Sequence, residues 1–241
     1  MKADNTSWFA AAVLAVLCSG CATDLPAPDF QALVASADRS DADRATDARR
    51  KPAQMLAFYG VRPGMTVFDL SAGAGYNTEL LARAVGASGK VYAQNPAPAP
   101  RLDGRMKMPS MRNVVSVARQ FSDPVPSEVR NLDLVTFNFN YHDTVHMGID
   151  RARMNRAVFD ALKPGGTYIV ADHSGRPGTG VSETKTLHRI EEAAVRREVE
   201  AAGFRFVAEG GFLRNPQDPR DAPVFKPKQP NDEFVLKFVK P

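Results

Sequence analysis

The chain has 241 residues, with 31 Lys+Arg against 27 Asp+Glu, a formal net charge of +4 and 44% hydrophobic residues. That leaves room for one α/β domain with a sizeable core, and it excludes disordered, collagenous and disulfide-rich classes. The surplus positive charge is small and scattered rather than clustered, so no nucleic-acid partner is expected.

The first segment reads as a leader. Trp8 to Gly20 is apolar (WFAAAVLAVLCSG) and followed by Cys21. It has the length of a signal-peptide core and is too short to span a bilayer as a stable helix. With Ser19 and Gly20 before Cys21, it resembles the lipobox of bacterial lipoproteins. It departs from that pattern in having Cys18 three positions before Cys21 and a single Lys2 offset by Asp4. The resemblance implies a signal peptide over residues 1–21, a lipid anchor on Cys21, and a periplasmic, membrane-anchored protein. Plain secretion and a cytoplasmic location are the alternatives. Cys18 and Cys21 are the only cysteines, so the body has no disulfide, thiol nucleophile or cysteine metal site. Residues 22–46 are rich in Pro, Ala and Asp without a steady period and read as a tether with at most one short helix.

From Asp47 to Tyr59 the pattern predicts a helix ending at Gly60. Met65–Leu70 reads as a buried strand, Ser71–Gly75 as a small-residue turn, Tyr76–Val85 as a helix and Lys90–Gln94 as a second strand. Together they make a βαβ unit. Strands follow at Asn113–Ala118 and Leu132–Phe137, then a helix at Arg151–Leu162 ending in the turn signal KPGG, and a strand at Thr167–Ala171. Leu187, Ile190, Ala194, Val195, Val199 and Ala202 have helical spacing and predict a helix over Thr184–Ala202. Phe204–Glu209 and Glu233–Val239 close the chain as strands, joined by a Pro-rich loop over Asn215–Asn231. That loop, with Phe212, Phe225 and Lys226, is either a lid over a pocket or a plain exposed connection. The alternation implies a doubly wound α/β sheet with ligands at the carboxyl ends of its strands.

Several motifs carry a family resemblance. VFDLSAGAGYNTELLA resembles the first motif of class I S-adenosylmethionine-dependent methyltransferases, LDLVTFN their fourth strand, and ALKPGGTYIVADH their following turn and fifth strand. The resemblance covers residues 47–241, and GAGYNTELLA, FNYHD, ADHS, LHRI and DEFVLKFVKP extend it to predicted exported bacterial methyltransferases. It implies a Rossmann-like seven-stranded, mostly parallel sheet of order 3-2-1-4-5-7-6 with helices on both faces. It also implies S-adenosylmethionine held by Asp69, Ser71, Ala72, Gly73, Gly75, Tyr76, Gln94, Asn95 and Asn138. Two departures stand out: Ser71 replaces the first glycine, and Gln94–Asn95 replace the acid expected on the ribose. An amide can bond a hydroxyl without the charge-assisted strength of a carboxylate.

The loop after the fourth strand, Asn138-Phe139-Asn140-Tyr141-His142-Asp143, is where such enzymes position the methyl acceptor. The resemblance makes His142 a candidate base oriented by Asp143, with Tyr141 and His173 as further catalytic candidates. His188 faces either pocket or solvent. His142, Asp143, Asp172, His173 and His188 carry metal-ligating atoms, but no compact spacing such as HExxH groups them, so no metal is expected. The expected activity is methyl transfer to a small molecule or cell-envelope component. A methyltransferase-like binding protein without turnover is the alternative, and a nicotinamide oxidoreductase is disfavoured by KPGG and the closing strand pair.

Overall fold

Four consecutive residues of the fifth strand, Tyr168, Ile169, Val170 and Ala171, are each wholly buried, and they alternate between two separate apolar clusters. Such a strand must be covered on both faces, as in a doubly wound sheet. The computed structural model describes residues 26–225 and 227–241; the leader, Cys21 and Lys226 lie outside the described residues. The strands are β1 Thr66–Leu70, β2 Lys90–Asn95, β3 Val114–Ala118, β4 Leu132–Asn138, β5 Leu162–His173, β6 Arg205–Glu209 and β7 Glu233–Val239. The helices are α1 Phe30–Val34, α2 Asp41–Arg50, α3 Pro52–Tyr59, α4 Tyr76–Val85, α5 Pro100–Arg105, α6 Tyr141–His146, α7 Arg151–Ala161 and α8 Glu192–Ala201. The sheet order is β3-β2-β1-β4-β5-β7-β6, as expected. β7 runs antiparallel to both its neighbours. One face packs Phe68, Phe137 and Val158 with Phe238; the other packs Val67, Leu80 and Leu81 with Val235.

Four local features differ from the sequence reading. Residues 30–46 are not a loose tether. They form α1 and most of α2, and the bidentate pairs Arg39–Asp47 and Arg105–Asp43 hold them to the domain. The helix expected over Asp47–Tyr59 is broken at Lys51, whose φ of 44° is left-handed. Pro52 follows it, and a residue before proline is turned away from the right-handed helix. The Lys51 ammonium then donates to the Phe212 carbonyl at 2.6 Å.

KPGG is not a free turn but lies within β5, as a register shift against β4 between Leu132 and Leu134. The helix expected from Thr184 begins only at Glu192. Ile190 instead bridges Ser174 in parallel, and its N–H donates to the His173 carbonyl at 3.1 Å. Its helical spacing thus reflects burial beside the end of β5. Among the described residues no helix is long and apolar enough to cross a membrane.

Candidate active site

The chain runs outward from β1 in one direction through β2 and β3, and from β4 in the other, so a crevice opens between the carboxyl ends of β1 and β4. Asp69 on β1 lies level with Thr136 on β4. Its carboxylate is buried and accepts from Asn77 Nδ2 at 2.8 Å, Thr78 Oγ1 at 2.6 Å and Thr136 Oγ1 at 2.8 Å. Burial pushes its pKa up, against the pull of those hydrogen bonds. Asp69 thereby ties the start of α4 to β4 and sets the shape of the intervening turn.

In that turn Ser71, Gly73 and Gly75 all have positive φ, at 62°, 59° and 88°. Ser71 thus adopts the conformation of the glycine it replaces. Its N–H donates to Gln94 Oε1 and its hydroxyl to Asn140 Oδ1, both at 2.9 Å. The two glycines serve different ends. A Cβ on Gly73 would meet nothing within 4 Å, so its backbone faces open space, whereas one on Gly75 would meet Leu102 Cδ1 at 2.8 Å. Gly75 therefore lets α5 pack closely and does not offer a ligand surface.

Gln94 and Asn95 are likewise used by the turn. Gln94 is wholly buried, accepting from Ser71 N and donating to the Arg119 carbonyl. Asn95 accepts from Gly73 N at 2.9 Å and donates to its carbonyl at 3.2 Å. Gln94 braces the loop with both ends of its amide engaged, and Asn95 borders the groove beside the turn.

A cavity of about 200 Å³ lies on one side of the turn, lined by Asp69, Ser71, Ala72, Tyr76, Asn138 and Phe139 together with Thr46, Arg50 and Met55 of α2 and α3. A shallower groove of about 420 Å³ lies on the other side, along Gly73, Asn95 and Pro96–Arg101. Tyr76 is fixed by its hydroxyl, which donates to Asp47 at 2.6 Å, and Asn138 accepts from the Tyr59 hydroxyl at 3.2 Å. Arg50 stacks 3.2 Å over the centre of the Phe139 ring, and its buried Nη1 has no hydrogen-bond partner among the described residues. Burial, with Arg49 as the next cause, lowers its pKa to about 10. It remains a cation at neutral pH, lines the cavity, and has no carboxylate within salt-bridge distance among the described residues.

Beyond Phe139 and Arg50 a second cavity of about 550 Å³ holds His142, Asp143, His173, His188 and Phe225. Asp172, at the end of β5 and wholly buried, accepts from His142 N at 2.8 Å and from His173 N at 2.8 Å, and lies 2.7 Å from His142 Nδ1. The other His142 nitrogen, Nε2, is 3.1 Å from Asp143 Oδ1 and 3.3 Å from His188 Nδ1. Burial opposes charge on His142, but Asp172 and Asp143 outweigh it and raise its pKa to about 10. A free His142 imidazole therefore already holds a proton at neutral pH and is ill placed to take one from an acceptor. Asp143 lies below its ordinary value, because contact with His142 outweighs burial.

The other candidates separate. Tyr141 is wholly buried and bonds Glu198 and Asn155, each at 2.8 Å, so it anchors α6 to α8 and α7 instead of meeting substrate. His173 lines the second cavity, with Nδ1 3.1 Å from Glu233 Oε1 but not aligned as a hydrogen bond. The Pro-rich loop is pinned at its root by buried Arg189, which reaches Asp218 at 2.9 Å and Asn231 at 3.2 Å. Its exposed Phe225 packs edge-on to His188, ring centres 4.7 Å apart. Sequence reasoning singles out neither Arg50 nor Tyr59, and Asp172 only as a bearer of donor atoms. The one available signal for Arg50 was a charged pair, Arg49-Arg50, just before Pro52.

No family model matches the chain. Over 164 residues it is 26% identical to the ubiquinone/menaquinone biosynthesis C-methyltransferase UbiE of Salmonella arizonae, covering 66% of this chain and 64% of that relative. The chain thus spans less than two thirds of that relative's length. A SAM-dependent methyltransferase from Aquifex aeolicus superposes with a TM-score of 0.60 at 18% identity, over 84% of this chain and 100% of the other. The fold is that of the class I S-adenosylmethionine-dependent methyltransferases. A third neighbour, 1,6-didemethyltoxoflavin-N1-methyltransferase of Burkholderia thailandensis with bound 1,6-didemethyltoxoflavin and S-adenosylhomocysteine, has a TM-score of 0.56 at 19% identity, over 90% of this chain and 93% of the other. The Ser71–Gly75 turn, with its open side at Gly73, separates the first cavity from the groove.

Proposed function

We propose that the protein transfers a methyl group from S-adenosylmethionine to a small molecule or cell-envelope component. The observation that carries this is the turn at the switch point, with the open side of Gly73 and the half-buried cation Arg50, whose buried Nη1 has no hydrogen-bond partner among the described residues, lining the adjoining cavity. That donor set fits the cofactor. Gly73 would let its flat surface approach the backbone, the uncapped first turn of α4 offers N–H groups, and Arg50 would take its carboxylate. Bound there, the sulfonium supplies an electrophilic methyl group and requires an aligned nucleophile.

The chain's own part is positioning and exclusion of water. Phe139 and Arg50 form the wall between the two cavities, and the acceptor would occupy the second. Calorimetry with S-adenosylmethionine, S-adenosylhomocysteine and NAD tests the cofactor. Binding of both sulfur nucleosides and not NAD is expected; no binding of either would sink the reading. Methyl transfer to envelope extract is then followed with a tritiated donor. Binding without transfer would favour the second reading, a ligand-binding protein. That reading draws on Gln94 and Asn95 both being occupied by the turn, which leaves no acid for a ribose. The leader belongs to the same proposal: lipid on Cys21 would place the domain at a periplasmic membrane face, and palmitate labelling lost in Cys21→Ser would test it.

A further inference from the structure

Three side chains from distant parts of the chain converge at the floor of the second cavity. His142 Nε2, Asp143 Oδ1 and His188 Nδ1 form a triangle with sides of 3.1, 3.1 and 3.3 Å. A divalent ion bonded to nitrogen and oxygen at about 2.1 Å holds its ligands about 3.0 Å apart at octahedral angles and about 3.4 Å apart at tetrahedral ones. The triangle fits either polyhedron.

We infer that His142, Asp143 and His188 bind one divalent transition-metal ion. With His142 Nδ1 turned to Asp172, its Nε2, one Asp143 oxygen and His188 Nδ1 converge on a single point, and one cation there meets all three donor atoms at once. Asp172 is the outer carboxylate that metal-bound imidazoles commonly have on their other nitrogen, where it fixes the tautomer and strengthens the ligand. It is wholly buried and also held by two backbone N–H groups, so the His142 ring is set before any ion arrives.

His188 presents its ring to the triangle from a backbone at φ 53°, a left-handed conformation uncommon outside glycine. Phe225 flanks that ring on the outer side. Two nitrogens and one carboxylate oxygen suit zinc or another borderline first-row ion better than magnesium or calcium. The remaining coordination positions open toward the 550 Å³ cavity. Taken with the methyl-transfer reading, on which this last step rests, they select an acceptor with an ionisable oxygen, whose pKa the ion would lower.

The full chain is stripped with chelator, dialysed and titrated with Zn²⁺ and, separately, Co²⁺. Saturation at one equivalent is expected, with visible Co²⁺ ligand-field bands. His188→Ala and Asp143→Asn should each weaken binding at least 10-fold, with circular dichroism and S-adenosylhomocysteine affinity unchanged. His188 is about one-quarter exposed, at 25%, so its truncation tests the site without emptying the core around Asp172. Absence of stoichiometric binding, or wild-type affinity in both variants, would overturn the inference. Ion binding in a protein that ignores S-adenosylhomocysteine supports the metal site and removes the methyl-transfer reading; the converse result removes the metal site alone.

Discussion

The two cavities on either side of the Phe139–Arg50 wall are built in different ways. The first is built around a turn in left-handed conformations, braced by Asp69, Gln94 and Asn95. The histidine side is made of side chains, with imidazoles and carboxylates from β5, α6 and the segment before α8 meeting around Asp172. A backbone site tolerates any side chain that leaves the surface open, whereas a side-chain site depends on every member. The two are joined by one polar thread, from the Ser71 hydroxyl to Asn140 and from the Asn140 amide to Asp143. Substitutions on the two sides should therefore fail differently.

The largest effect is expected on the histidine side. Asp172→Ala removes the acceptor of two buried N–H groups and of an imidazole. It should cost about 3 kcal/mol or more of stability, read from urea unfolding; a loss under about 1 kcal/mol would mean that β5 and α6 do not depend on that carboxylate.

Gly73→Val should act the opposite way. It should weaken S-adenosylhomocysteine binding about 100-fold, which is about 2.7 kcal/mol. The φ of 59° should cost the fold only about 1–2 kcal/mol. Wild-type affinity would show that no ligand lies against Gly73.

Arg50→Leu should lower the same affinity about 10-fold, the effect of one lost charge-assisted contact. Stability should hold or rise, because a half-buried cation with no salt bridge among the described residues is removed. A fall in melting temperature with unchanged affinity would make Arg50 a structural residue.

The smallest effect concerns α2, which walls the first cavity. Burial pushes the Asp43 carboxyl up, but Arg105 outweighs it and holds the pKa below its ordinary value. A depressed carboxylate contributes stability above its unfolded pKa and loses it as pH falls through the folded one. Protease cleavage within α2 should therefore rise below about pH 4, and Asp43→Asn should show it at neutral pH. Cleavage independent of pH in the parent chain would remove Asp43 as the clasp.

The sequence legibility of the two sides follows from their construction. The turn and its flanking strand and helix lie between Thr66 and Val85, and small residues between an apolar strand and an amphipathic helix can be read locally. The two glycines looked equivalent, yet Gly73 faces space and Gly75 faces Leu102, a distinction made by α5. Tyr141 stood inside the acceptor loop and looked chemical; its ring turned inward because Glu198 and Asn155 waited for its hydroxyl. Residues 30–46 read as tether because they show no steady apolar period, and what orders them is the packing of Phe30, Leu33 and Val34 on the core together with ion pairing to Arg105 and Asp47.

By itself the sequence determined the strand–helix alternation, the strand order through its family resemblance, and the location of the turn. These rest on apolar period and on glycine chemistry within a few residues. Only the tertiary structure decided that Arg50 would line a cavity and that α2, through Thr46, Arg49 and Arg50, would wall it. It also decided that His142, Asp143 and His188 would meet in one triangle. The physical reason is distance along the chain. His188 lies 45 residues from Asp143, and only the packing of β5 against β4, with Ile190 bridged to Ser174, brings the two together.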